Sequence, residues 1–211
     1  MSLKLGETAP DFTAESTDGP IRFHDYIGSG WVVFFSHPAD FTPVCTTELG
    51  AFARRKAEFA ARNTQLLGLS VDPLDSHQRW IKDVEEVGNT TFNYPLLADP
   101  DRSVAELYGM IHPAADPKVT VRSVFIIDPN KKVRLTLTYP PSAGRNVDEI
   151  LRVLDSLQLT EGRKLTTPVD WKPGDDVIIA PSVSDEDARK LHPDGWKTLK
   201  PYLRTVPAPR A

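Results

Sequence analysis

Apolar residues occur in two arrangements along the chain, unbroken short runs and stretches spaced at three to four residues. Trp31-Val-Val-Phe-Phe-Ser36 is an unbroken run, the pattern of a strand buried on both faces. A loop bounded by prolines, His37 to Pro43, follows it. Leu49, Phe52, Ala53, Phe59 and Ala60 then recur at helical spacing, with Arg54, Arg55, Lys56 and Glu58 mainly between them. Asn63 suits the helix end, and Leu66 to Val71 reads as the next buried strand.

Beyond this βαβ unit a helix is expected from Asp72-Pro73, with Trp80, Ile81, Val84 and Val87 facing inward, and a short one over 101–109 ending at Gly109. Strands are expected over Val119–Asp128 and Val133–Thr138, joined by a turn at Pro129-Asn130. A last helix opens on Asn146 and Glu149 in capping-box spacing and runs to about Leu159. A βαβ unit followed by a ββα unit predicts an α/β chain with a thioredoxin-like sheet. From Thr166 the composition changes: seven prolines lie between Pro168 and Pro209, with one short strand (Val177–Ala180) and one short helix (Ser184–Leu191, capped by Ser184 and Asp187). The expected division is a domain over 1–165 and a small C-terminal extension over 166–211. The extension has too few large apolar side chains for a core of its own and should lie against its own domain or a second subunit.

Composition narrows the functional classes. Lys and Arg total 25 against 29 Asp and Glu, a formal net charge of -4, which gives no support for nucleic-acid binding. No apolar run is long enough to span a bilayer, and the first residues lack a signal core or an Arg-rich transit pattern, so a cytoplasmic address is expected. The five histidines, His24, His37, His77, His112 and His192, show no metal-ligand spacing, and neither a metal nor another cofactor is expected. The single cysteine, Cys45, excludes an intrachain disulfide and any Cys-x-x-Cys motif.

Cys45 has a telling address. Thr42 suits an N-cap, Pro43 suits the first helical position, and Cys45 then falls in the first turn, where unpaired N–H groups and the positive end of the helix dipole favour a thiolate. An ordinary cysteine of pKa about 8.5 is only a few per cent ionised at pH 7, so full ionisation gains about 30-fold, roughly 2 kcal/mol. Attack by a thiolate also develops charge on the atoms of the bond it breaks, and fixed donors are needed to stabilise it. Thr42 Oγ and the N–H groups of the first turn can supply some. Arg122, a charge inside the otherwise apolar Val119–Asp128 run, is the strongest further candidate.

Pro38, Thr42 and Cys45 match the Pro-x-x-x-Thr-x-x-Cys signature of peroxiredoxins, and the chain resembles that family. Residues 36–48, Ser-His-Pro-Ala-Asp-Phe-Thr-Pro-Val-Cys-Thr-Thr-Glu, are similar to the single-cysteine (1-Cys) subgroup. So are Ala9-Pro-Asp-Phe12, Gly144-Arg-Asn146 and the tail stretch Thr167-Pro-Val-Asp-Trp-Lys172. The resemblance implies a decorated thioredoxin fold and a thiol-dependent peroxidase taking hydrogen peroxide and organic hydroperoxides. It implies catalytic roles for Cys45, Thr42, Arg122 and Pro38, and supporting ones for His37, Glu48 and Arg145. Glu48, one turn after Cys45, could orient Arg122 or Arg145. With no second cysteine, a Cys45 sulfenic acid needs an external thiol or other reductant. The subgroup also implies a homodimer or a ring of dimers, with the tail at the dimer interface.

Two rival readings come from other functional classes. One is a redox sensor that oxidises Cys45 with little turnover. The other is an ester hydrolase, since some animal members of the subgroup are credited with lipid hydrolysis through a Ser-His-Asp set. The aligned positions here are Gly30, His24 and Asn130, so only the histidine is present, and the neighbouring Ser29 is one residue out of register.

Overall fold

The computed structural model describes residues 3–209, and the chain divides into two units after Val147. The first unit contains β1 (Thr13–Ser16), β2 (Ile21–Arg22), α1 (Phe23–Ile27), β3 (Trp31–Ser36), α2 (Pro43–Arg54), α3 (Lys56–Ala60), β4 (Thr64–Ser70), α4 (Leu74–Gly88), β5 (Leu96–Ala98), α5 (Ser103–Leu107), β6 (Arg122–Ile127) and β7 (Val133–Tyr139). Helix α6 (Val147–Thr160) begins at the division, and the second unit adds β8 (Leu165–Thr166), β9 (Val177–Ile179), α7 (Asp185–Leu191), β10 (Lys197–Lys200) and β11 (Leu203–Val206). The division falls earlier than the boundary expected at 165 and groups nearly all of α6 with the C-terminal strands.

Seven strands of the first unit form one sheet in the order β2-β1-β5-β4-β3-β6-β7. The crossovers through α2 and α4 make β3, β4 and β5 parallel, while β6 and β7 run antiparallel. This is the predicted thioredoxin-like order, extended by the short strands β1, β2 and β5, which the apolar pattern does not predict. Every residue of β3 is buried, as its unbroken apolar run requires. The strand alternation sends Val32 and Phe34 into a core with Phe23, Tyr108 and Phe125, while Phe35 faces the other way and stacks on Phe52 of α2 at 4.3 Å between centroids.

Helices α2 and α4 approach closely at two glycines. A Cβ on Gly50 would lie 3.0 Å from the Gly88 Cα, so this crossing admits no side chain without displacement. The Arg54 guanidinium fastens it by donating to the Gly88 carbonyl at 2.6 Å. The inward face of α4 is narrower than its apolar pattern predicts. Trp80 and Val84 are buried, but Val87 is 61% exposed, because the buried stripe passes through Gly88 instead.

The C-terminal unit differs from expectation in having a small core of its own: Leu165, Trp171, Val177, Ile179, Val183, Ala188 and Val206, on a sheet ordered β10-β11-β9-β8. The core comes from strand pairings that carry few residues each and leave little periodic signal. The predicted capping box is present, with Ser184 Oγ accepting from the Asp187 N–H at 3.0 Å.

Candidate active site

Ser36 ends β3 in the middle of the sheet, and the chain then crosses its carboxyl edge through His37–Thr42 into α2. Phe41 takes a left-handed φ of 54°, a costly conformation for an aromatic residue and one often found where function fixes the backbone. Thr42 is extended and Pro43 occupies the first helical position, so Cys45 is third, as predicted. The first bond of the helical ladder runs from the Thr46 N–H to the Thr42 carbonyl at 3.0 Å, which leaves the N–H groups of Val44 and Cys45 ahead of the ladder.

One expectation about Thr42 needs correction. It stands at the N-cap, but its side chain makes no capping bond; its hydroxyl donates to the Ala39 carbonyl at 2.8 Å. The hydroxyl proton is thereby committed, and Thr42 Oγ presents acceptor lone pairs rather than a donor. Pro38 is buried within the same loop.

Arg122 is the first residue of β6, which pairs antiparallel with β3 through Val124 and Phe35. That register brings it to the end of β3 where α2 begins. Its Nη1 lies 3.3 Å from the buried Cys45 Sγ and 2.7 Å from Glu48 Oε2. The other side of the guanidinium is held by the Pro141 carbonyl, which accepts from Nη2 at 2.8 Å and from Nε at 3.2 Å. Glu48 lies one turn beyond Cys45 on the same helix face. Arg145 completes the cluster, donating to Glu48 Oε1 from its backbone N–H (2.7 Å) and Nε (3.0 Å), and to Oε2 from Nη2 (2.8 Å). Its Nη1 bonds the Ser36 and Ser123 carbonyls, and the guanidinium sits over the Phe35 ring at 4.9 Å. Burial pushes the Glu48 carboxyl up, but the Arg145 charge and hydrogen bonds, with Arg122 beside them, outweigh it and hold Glu48 below the ordinary glutamate range. The structure thus gathers Cys45, Arg122, Glu48 and Arg145 into one contact network, with Thr42 and Pro38 on the adjoining loop.

His37 lies apart from that network, in a second buried cluster that sequence reasoning missed. Its Nε2 meets Asp40 Oδ1 at 2.9 Å, and Asp40 Oδ2 meets His77 Nδ1 at 2.7 Å and the Ser76 hydroxyl at 2.8 Å. Burial alone would raise Asp40, yet its bonds to His37 and His77 hold it far below the ordinary range; burial drives His37 down. His37, Asp40 and Asp72 present ligand-type atoms within 4.8 Å of one another. The oxygens are already engaged, Asp72 Oδ2 by the Asp40 N–H and the Ser70 hydroxyl, which suits a hydrogen-bond cluster better than a metal centre. The one available signal was Asp40 itself, the only formal charge between Trp31 and Thr47.

The positions aligned with a hydrolytic triad do not assemble one. A Cβ on Gly30 would lie 2.9 Å from the Asn63 carbonyl oxygen, and His24 Nε2 is hydrogen-bonded to the Ala9 carbonyl at 2.7 Å.

A buried cysteine at a helix start, faced by a fixed guanidinium, is an arrangement suited to thiol chemistry. The family model described as AhpC/TSA family matches residues 5–136, and that described as the C-terminal domain of 1-Cys peroxiredoxin matches residues 156–195. The chain belongs to the AhpC/TSA family, and it is a thiol-dependent peroxidase of the 1-Cys peroxiredoxin type. A 1-Cys peroxiredoxin of Dictyostelium discoideum is 53% identical over 207 residues, 98% of this chain and 86% of that one. The crystal structure of a cysteine-to-serine mutant of peroxiredoxin 6 from Arenicola marina superposes with a TM-score of 0.93 at 43% identity over 100% of both chains. A yeast mitochondrial 1-Cys peroxiredoxin, described as resolving its thiol through glutathione/thioredoxin systems, gives a TM-score of 0.92 at 48% identity over 97% of this chain and 99% of that one. The yeast protein overturns the cytoplasmic expectation. The same fold works in mitochondria, so neither net charge nor the missing apolar run specifies a compartment.

Glu48 supplies a test of the cluster. Its depressed pKa means that its contribution to stability is full above the unfolded value near 4.5 and is lost as pH falls through the lower folded value. Glu48→Gln should cost about 3–5 kcal/mol at pH 7, the price of unpairing buried charges. The gap between variant and wild type in chemical denaturation should narrow below about pH 4.5. A gap independent of pH would contradict the charge-pair reading.

Proposed function

We propose that Cys45 is the peroxidatic nucleophile and that Arg122 stabilises its transition state. The observation that supports this most directly is the charge of the buried cluster. Arg122 and Arg145 bring two positive charges and Glu48 one negative, so the group carries one excess positive charge next to Sγ. A thiolate at Cys45 makes the cluster neutral, and an excluded-water setting strengthens that attraction.

In the proposed step the thiolate attacks the terminal oxygen of ROOH. An S–O bond forms, the O–O bond breaks, and the departing RO⁻ takes up, through solvent, the proton that the Cys45 thiol released on ionising and leaves as ROH. Cys45 is oxidised to the sulfenic acid and the peroxide is reduced. Arg122 Nη1 and the N–H groups of Val44 and Cys45 are placed to stabilise charge on the oxygens. Thr42 Oγ, with its proton committed to Ala39, accepts a hydrogen bond from the hydroperoxide OH. Pro38 helps exclude water, and Glu48 and Arg145 hold Arg122 in place. An external thiol then attacks the sulfenic sulfur, releasing water as a mixed disulfide forms, and a second thiol frees Cys45. The yeast relative makes a glutathione or thioredoxin-type thiol the first reductant to try. Hydrogen peroxide and organic hydroperoxides are the proposed substrates. The proposed organisation keeps a C-terminal extension involved in a homodimer or a ring of dimers. Strand β7, at one end of the sheet and without a second strand partner among the described residues, offers an edge that a second copy could use.

Cys45→Ser should abolish peroxide consumption with the fold retained, and limiting peroxide should add one oxygen to the wild type by intact mass. Peroxidase activity surviving in the serine variant would overturn the assignment. Sedimentation velocity should show a dimer or larger; a strictly monomeric, fully active protein would contradict the proposed assembly.

A further inference from the structure

The buried cluster behind the active-site loop fixes its own protonation pattern. His77 Nε2 faces the Leu97 backbone carbonyl at 3.1 Å, and a carbonyl can only accept. His77 Nδ1 faces Asp40 Oδ2 at 2.7 Å, and that oxygen also receives the Ser76 hydroxyl. A histidine with an acceptor at each nitrogen satisfies both only by carrying both protons. Charge balance points the same way. Asp40 and Asp72 lie together, joined by the bond from the Asp40 N–H to Asp72 Oδ2 at 3.0 Å. A neutral His77 would leave the buried Asp40 carboxylate without a cation among its hydrogen-bond partners.

We infer that His77 is a buried imidazolium which, through Asp40, holds His37 neutral as its Nε2–H tautomer and so positions the loop that carries Thr42. This inference rests on the peroxidase reading and assigns positioning roles to two residues outside the Cys45 network. With Asp40 ionised, His37 Nε2 must donate to Oδ1; a proton on Nδ1 would be a buried donor with no acceptor, so the neutral ring, with Nδ1 as a bare lone pair, is the form that fits. That nitrogen is buried and has no hydrogen-bond partner among the described residues. The depressed basicity of His37 agrees with the assignment.

The groups facing the pair come from several elements: Asp40 from the loop, Asp72 after β4, and Ser76 and Trp80 from α4. The cluster reaches the catalytic helix by a second route. The His37 ring packs 5.1 Å from Trp80, whose Nε1 donates to Thr46 Oγ1 at 3.1 Å, and the Thr46 hydroxyl donates to the Thr42 carbonyl at 2.8 Å. Asp40 is two residues from Thr42, so its four hydrogen bonds set the loop's approach to the helix N-terminus. Removing the His77 cation leaves His37 as the next base able to neutralise Asp40. The inference therefore predicts a specific exchange of charge between two histidines.

The experiment is imidazole nitrogen NMR on the full chain labelled at histidine, at pH 7, together with stopped-flow oxidation of Cys45 by hydrogen peroxide. In the wild type, His77 should show two protonated nitrogens and His37 one protonated Nε2 with a bare Nδ1. In His77→Gln, His37 should gain a second proton. Cys45 oxidation should slow about 10-fold, the order lost when the outer partner of an oriented imidazole is removed. The rate should recover at higher pH as His37 sheds that proton, a profile that a general loss of packing would not produce. In Asp40→Asn, His77 should lose one ring proton. A bare nitrogen on His77 in the wild type, or a neutral His37 in His77→Gln, would overturn the inference. The wild-type spectrum decides even if a variant does not fold. Failure of wild-type Cys45 to gain an oxygen would count against the nucleophile assignment instead, and the histidine spectra are read independently of it.

Discussion

A single carboxylate, Glu48, spends both oxygens on two buried guanidinium groups, and the arrangement of the active site follows from that division. Arg145 takes three of the four hydrogen bonds and is itself locked by the carbonyls of Ser36 and Ser123. Arg122 takes the fourth and turns the same Nη1 toward Cys45. A flexible lysine in either place would lack the planar fork that reaches two partners at once. Because Glu48 and Cys45 lie one turn apart on α2, helix geometry fixes the spacing between the sulfur and the carboxylate that anchors Arg122 beside it.

The sheet explains why these residues meet. Cys45 follows β3 and Arg122 opens β6, and the antiparallel pairing of those strands brings residues 77 positions apart to one edge. On the other side of the loop, the first turn of α4 contributes Ser76 and His77 to Asp40, while its last residue, Gly88, meets Gly50 of α2. Thus the loop over His37–Thr42 lies between two charged clusters that share no residue, one ordering the sulfur's cation and the other ordering the loop. Both are buried, where an unmatched charge is costly and a matched one rigid.

Much of this was legible in the sequence, for identifiable reasons. The unbroken, β-branched and aromatic run at 31–36 has the pattern of a strand covered on both faces, and Thr42-Pro43 placed the helix start to the residue. Arg122 stood out as a charge in an apolar strand. The rest depended on tertiary contact. Strands of two to four residues, such as β1, β2 and β5, are too short for periodicity to register, and the C-terminal core is scattered over such pieces. Val87 fits a helical stripe that the structure turns to solvent. The Asp40–His77 bond joins residues 37 apart, one in a loop, and no local pattern announces it. Thr42 was located correctly, but its hydroxyl chose the Ala39 carbonyl over the cap, a choice between two acceptable local bonds.

The measurement that bears most directly on the site is the second-order rate of Cys45 oxidation by hydrogen peroxide in Arg122→Lys, taken by stopped flow at a pH where the wild-type and variant thiols are both fully ionised. Lysine keeps the charge but cannot hold Glu48, Pro141 and the reacting centre together, and the loss of one such fixed donor typically costs on the order of 10²-fold. A drop of that size at matched ionisation is the predicted result; an unchanged rate would show that Arg122 is only structural and contradict the reading of the site.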